Sequence, residues 1–294
     1  MRIGIHTSIS GSLEKAALKA HELGGNTFQI FSSSPRQWKP SVLDPADVKR
    51  LQATREQLDI TPLVIHDSYL INLASCEPGI RAQSISAFRG EIERALTIGA
   101  EYLVMHPGNC KGQSLEQGLI NVIGGLEEAS NGLKSKHLHI LLENTVGTSG
   151  QIGSRFEELA AIQRFASERM DIAIGYCLDT CHCFASGNYD VGSEAGLHDT
   201  VKAAQDVLGI DNVRVFHAND SKGACGSHLD RHANIGEGQI GSEGFARILR
   251  HPKLRSKPFI LETPADNEGD GRKNVQALQT LSKSPKKTSV IPLG

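Results

Sequence analysis

The chain has 294 residues, a net charge of −2, 39% hydrophobic and 22% charged residues and 30 glycines, the profile of a soluble globular protein and not of a fibrous, disordered or membrane-spanning one. Six cysteines in a chain this long make no small-domain disulfide framework, no apolar run approaches transmembrane length, and the opening MRIGIHTSIS lacks a long apolar core, so the expected setting is the cytoplasm with reduced thiols. The small net charge leaves the sign of any local field open.

In chain order, eight short apolar runs read as strands: Ile3 to Ile5, Thr27 to Ile30, Leu63 to His66, Tyr102 to His106, His139 to Glu143, Ile172 to Asp179, Val213 to His217 and Phe259 to Glu262. Their starts lie 24 to 46 residues apart, room for a βα unit each time. After the first, Ser12 precedes LEKAALKAHELGG, in which Leu13, Ala16, Ala17, Ala20 and Leu23 recur at helical spacing and Gly24 or Gly25 ends the helix. Helical stretches follow the other strands at Pro45 to Leu58, Arg81 to Ile98, Ser114 to Leu133, Ser154 to Glu168, His198 to Leu208 and Gly244 to Leu249. The spacing predicts a single (β/α)8 barrel, a TIM barrel, over residues 1–281. Residues 282–294, ending in KSPKKTSVIPLG, read as a disordered basic tail.

Strands buried on both faces read as unbroken apolar strings, and here most strings close on a residue that can bind metal. LVIH ends at His66, YLVMH at His106, HILLE at Glu143, IAIGYCLD at Asp179, VRVFH at His217 and FILE at Glu262. His182, Asp230 and His232 follow close behind, in D-x-x-H and D-x-H pairs. A parallel barrel gathers such strand ends onto its carboxyl-terminal rim. Five histidines and four carboxylates exceed the needs of one ion, since a catalytic zinc takes three protein ligands and keeps an open position, and they suffice for three. Three divalent ions against four carboxylates leave about two positive charges, a site that attracts phosphate.

Each residue has a plainer explanation. A strand-end histidine can be a hydrogen-bonded structural residue, and a strand-end Asp or Glu can cap the next helix. The ensemble argues otherwise, because nine separate structural explanations on one rim are improbable together. The cluster Cys177, Cys181 and Cys183 invites a zinc or iron–sulfur reading, but Asp179 and His182 already explain the local ligand pattern and Cys177 is expected to fill the barrel interior. The glycines of IGEGQIG (235–241) lack the strand, lysine and helix start of a phosphate-binding loop. Two other classes use similar residues. A sugar isomerase would have no use for Asp230 and His232, and a zinc-dependent DNA-binding module would close its coordination shells.

The strings HDSYLINLA (66–74), MHPG (105–108), LLENT (141–145), CLDTCHCFASGNYD (177–190), VRVFHANDSKGACGSHLDRHANIGEGQIG (213–241) and FILETP (259–264) resemble the endonuclease IV family of apurinic/apyrimidinic endonucleases, from Ile3 to about Leu281. The resemblance implies three zinc ions: one on His66, His106 and Glu143, a second on Glu143, Asp179, His217 and Glu262, and a third on His182, Asp230 and His232, with Glu143 bridging two of them and central to catalysis. It implies hydrolysis of the phosphodiester 5′ to an abasic site, leaving a 3′-hydroxyl and a 5′-deoxyribose phosphate, with repair of blocked 3′ ends, by a monomer acting on double-stranded DNA. Arg36, Tyr69 and Leu70 match residues that enter the duplex at the lesion, whereas Trp38 reads as structural. Two segments depart from the family pattern, TVGTSGQIG after Asn144 and Asn109-Cys110 after HPG. Both spare every ligand.

Overall fold

The computed structural model describes residues 1–264 and 267–283. The expected tail lies outside them apart from Ser282 and Lys283. In chain order the strands are β1 (Ile3–His6), β2 (Thr27–Phe31), β3 (Leu63–His66), β4 (Tyr102–Met105), β5 (His139–Glu143), β6 (Ala173–Asp179), β7 (Val213–His217), β8 (Asp220–Ser221), β9 (His232–Ala233) and β10 (Phe259–Leu261). Eight of them close into a parallel barrel in the order β1-β10-β7-β6-β5-β4-β3-β2, while β8 and β9 pair as a small antiparallel ribbon. The eight expected barrel strands therefore form, each within a residue or so of its predicted end.

Two apolar layers hold the barrel. Inside it, Val64, Val104, Leu141, Cys177, Val215 and Ile260 make one buried cluster, one residue from each of six strands. Outside, the opposite strand faces pack against the helices in a larger cluster that includes Phe28, Leu63, Leu103, Leu142 and Phe259. A buried Leu, Ile or Phe contributes about 1.5–3 kcal/mol, so the barrel's stability rests on these layers.

Around it run α1 (Leu13–Glu22), α2 (Pro45–Leu58), α3 (Pro78–Ile98), α4 (Leu115–Ser130), α5 (Phe156–Ser167), α6 (Thr180–Ser186), α7 (Glu194–Ala203), α8 (Gly241–Arg250) and α9 (Asp270–Leu281). Ser12 caps α1 by accepting the Lys15 N–H, and Leu13, Ala16, Ala17 and Ala20 form its buried face. The helix expected from Arg81 begins earlier, with Pro78 in its first turn, where proline's missing N–H costs nothing. The stretch expected to run from His198 to Leu208 is α7 followed by a π-helical turn over Ala204–Leu208. Neither α6 nor α9 was among the expected helices. No helix among the described residues is long and apolar enough to cross a membrane.

Candidate metal centre

Period-two alternation builds the site. Two residues beyond each member of the inner apolar cluster, on the same pleat, stand His66 after Val64, His106 after Val104, Glu143 after Leu141, Asp179 after Cys177, His217 after Val215 and Glu262 after Ile260. The remaining barrel strands, β1 and β2, supply His6 and Gln29, which are register partners. Together these eight residues form a polar layer over the apolar one. His182 enters from the first turn of α6, Asp230 from the chain leading into β9 and His232 from β9 itself.

Three donor groups result, each with ligand atoms within 4.8 Å of one another: His66, His106 and Glu143; Glu143, Asp179, His217 and Glu262; and His182, Asp230 and His232. All nine sequence-predicted ligand residues are among them. A fourth set overlaps them, Asp179, Cys181 and His232. Glu143 stands at the centre. Its Oε1 lies 2.8 Å from His217 Nδ1 and 3.4 Å from His182 Nδ1, and its Oε2 lies 3.1 Å from His66 Nε2 and 3.6 Å from His106 Nε2.

The ring orientations are set by groups behind them. A carbonyl can only accept, so the nitrogen facing one must carry hydrogen. His66 Nδ1 donates to the Asp67 carbonyl at 3.0 Å, His182 Nδ1 to Asn144 at 2.9 Å and His232 Nδ1 to Glu262 at 3.1 Å. In each ring this leaves Nε2 for the centre. His232 Nε2 is buried with no hydrogen-bond partner among the described residues, 3.7 Å from Asp179 Oδ2 and 3.6 Å from Asp230 Oδ1. An orphaned imidazole nitrogen between two carboxylates is a place for a cation, and the convergent nitrogen and oxygen donors suit zinc.

Carboxylates are fixed as firmly. Asp179 Oδ1 accepts the His182 N–H at 2.8 Å, capping α6, while its Oδ2 accepts the Asn219 amide at 2.6 Å. Helix cap and candidate ligand are thus one residue. Asn219 is buried, and its Oδ1 also accepts the Glu262 N–H at 2.8 Å. Asn144 accepts the Asp179 N–H at 2.7 Å.

Burial would by itself neutralise these groups; at His106 it prevails and lowers the ring below the ordinary imidazole value, whereas at most of the others the opposite charges win. Burial raises Glu143, yet His217, His106 and His66 hold it well below the usual carboxylate range. Glu262 falls to about 2 against the same penalty, chiefly through His217. His182, despite burial, is pushed up to about 10 by Asp179, Asp230 and Glu143, and His66 and His217 also rise well above the ordinary imidazole value. Alternating positive and negative groups of this kind exchange ring protons for divalent cations.

The centre opens into a cleft of about 430 Å³ lined by His6, Phe31, Tyr69, His106, His182 and Asp230, among others. Tyr69 stands on its lip, 67% exposed, its ring edge-on to Phe31 at 5.1 Å. Leu70 beside it is half-buried and Arg36 is exposed. The two loops are tied, since the Ser68 hydroxyl donates to the Pro35 carbonyl at 2.8 Å. Trp38 is half-buried, in a separate small pocket with Glu91 and Arg94.

The two segments that depart from the family pattern pack on each other. Asn109 bridges Gln151, the Cys110 N–H donates to Gly150 and the Ile152 N–H to Gly108. Gly108 has φ +104°, and a Cβ there would strike Asn72 Oδ1 at 2.1 Å. IGEGQIG does cradle an anion, but the anion is internal. The buried Asp220 carboxylate accepts N–H groups from Gly236, Gly238, Ile240 and Gly241.

The family described as xylose isomerase-like TIM barrel matches residues 17–284. A protein of Solibacter usitatus named probable endonuclease 4 is 56% identical over 284 residues, 97% of this chain and 98% of its own. A probable endonuclease 4 of Halothermothrix orenii is 39% identical, over 96% of this chain and 99% of its own. The crystal structure of endonuclease IV from Thermus thermophilus superposes with a TM-score of 0.82 at 36% identity, covering 96% of this chain and 98% of that one.

Proposed function

Because the chain belongs to the endonuclease IV family, we propose that it is a zinc-dependent DNA repair nuclease that hydrolyses the phosphodiester 5′ to an abasic site, leaving a 3′-hydroxyl and a 5′-deoxyribose phosphate, and that it clears blocked 3′ ends. The observation that carries this reading is the position of Glu143, one carboxylate between the rings of four histidines drawn from all three donor groups. His66, His106 and Glu143 would hold one ion, Glu143, Asp179, His217 and Glu262 a second, and His182, Asp230 and His232 a third. Zinc in these sets would supply Lewis acidity, drawing charge from the phosphoryl oxygens and lowering the pKa of the attacking water.

The protein's own part is orientation. Glu143 stays ionised and cannot rotate without losing the rings on either side. Asn219 aligns Asp179 with Glu262, and the backbone carbonyls behind His66, His182 and His232 keep their free nitrogens inward. On the lip, Arg36, Tyr69 and Leu70 enter the duplex at the lesion. An abasic nucleotide has no base to unstack, so it is extruded at lower cost than its neighbours, which is itself a source of selectivity. The enzyme acts as a monomer in the cytoplasm, with residues 1–281 as its barrel domain.

Incubation with a labelled duplex carrying one abasic analogue tests this. Cleavage confined to the 5′ side of the analogue is the expected result. Equal cutting of the analogue-bearing and intact duplexes would contradict it.

A further inference from the structure

Three of the rings at the centre are oriented by backbone carbonyls, whereas His217 is oriented by a side chain. Its Nδ1 faces Glu143 and its Nε2 lies 2.8 Å from Gln29 Oε1. Gln29 is fully buried in the middle of β2. Its amide orientation is determined by its other neighbours, since Nε2 meets Glu262 Oε1, which can only accept, at 2.5 Å. The same Nε2 lies 3.0 Å from His6 Nδ1. One amide therefore donates towards Glu262 and His6 and accepts from His217.

We propose that Gln29 is a positioning residue for the ion held by Glu143, Asp179, His217 and Glu262: by accepting the His217 Nε2 hydrogen it leaves the Nδ1 lone pair free for the ion, and by donating to Glu262 Oε1 it fixes that carboxylate towards the same point. This rests on the metal reading above. The same contact makes His6 Nδ1 an acceptor, so the hydrogen of a neutral His6 sits on Nε2. His6 lines the cleft, and it has no hydrogen-bond partner for Nε2 among the described residues.

Zinc affinity measured by competition with a chromophoric chelator tests the assignment, on native protein, Gln29→Met and Gln29→Glu. Methionine fills the volume but neither donates nor accepts, and glutamate keeps the acceptor for His217. In Gln29→Met one ion should bind about 10–100-fold more weakly, the usual effect of removing an outer-layer partner, while Gln29→Glu keeps more of the native affinity. A Gln29→Met protein within twofold of native would overturn the inference. If Gln29→Met does not fold, the glutamate protein decides alone: it keeps the acceptor for His217 but replaces the donor to Glu262 by a carboxylate, and zinc affinity within twofold of native there would overturn the inference. Native protein that binds no zinc would instead overturn the metal reading itself, and this inference with it.

Discussion

Glu143 Oε1 and His217 Nδ1 meet at 2.8 Å with both side chains buried, although 74 residues separate them in the chain. The pair joins β5 to β7, which are not neighbours in the barrel, and only the central position of Glu143 brings them into contact. Glu143→Gln should therefore disable the centre and spare the fold, because the apolar layers carry the barrel. Turnover is expected to fall by about 10³-fold or more, roughly 4 kcal/mol of lost transition-state stabilisation. Steady-state kinetics with circular dichroism checks this, and loss of the folded signature would make Glu143 a structural residue.

The three donor groups predict three zinc ions per chain. The ligands are mostly buried at the mouth of a rigid barrel, so chelation by EDTA should inactivate slowly, and zinc should restore activity where magnesium does not. Elemental analysis decides the count. One ion per chain, or activity that depends only on added magnesium, would contradict it.

Replacing Tyr69 and Leu70 together by Ala should weaken binding and cleavage of abasic duplex about tenfold or more and leave bound zinc unchanged. Neither residue is a donor in any of the three groups, and Tyr69 projects from the lip. Side chains that open a duplex offset a few kcal/mol of unstacking per step, so a flexible single-stranded substrate, which needs no opening, should suffer less. Equal loss on both substrates would show that these residues do not open the helix.

Asp220→Asn should destabilise the protein. The native carboxylate accepts five backbone N–H groups, from Ser221, Gly236, Gly238, Ile240 and Gly241, and an amide would turn two of its own hydrogens towards some of those donors. An unsatisfied buried partner costs about 1–3 kcal/mol, and each kcal/mol lowers Tm by roughly 2–4 °C in a domain of this class. Thermal unfolding of the two proteins measures the difference, and an unchanged Tm would mean that the loop holds itself without Asp220.

Much of the barrel and of the donor set is legible in the sequence because both rest on one local pattern. A doubly buried strand must be apolar until it reaches the rim, so LVIH and HILLE announce a strand and a site residue together. His6 and Gln29 escape that pattern for different reasons. His6 closes the short run IGIH, whose interior position two residues earlier is Gly4, so no apolar string points to it. Gln29 lies within TFQIF instead of at its end, and an amide is not a metal-ligand type. The helix α6 begins at the residue after β6 with no turn between them, and TCHCFAS is too short to show a period. The role of IGEGQIG depends on Asp220, 16 to 21 residues away, a tertiary partner that no local signal reports.

The chemistry of the cut ends tests the central claim most directly. A natural abasic site in duplex DNA is incubated with the zinc-loaded protein, and the fragment upstream of the lesion is analysed by mass and by extension with a DNA polymerase. Hydrolysis by water at the Glu143 centre predicts a 3′-hydroxyl that the polymerase extends, with a 5′-deoxyribose phosphate on the downstream fragment. A 3′-unsaturated aldehyde that blocks extension would reveal lyase chemistry through a lysine Schiff base, and would contradict the account.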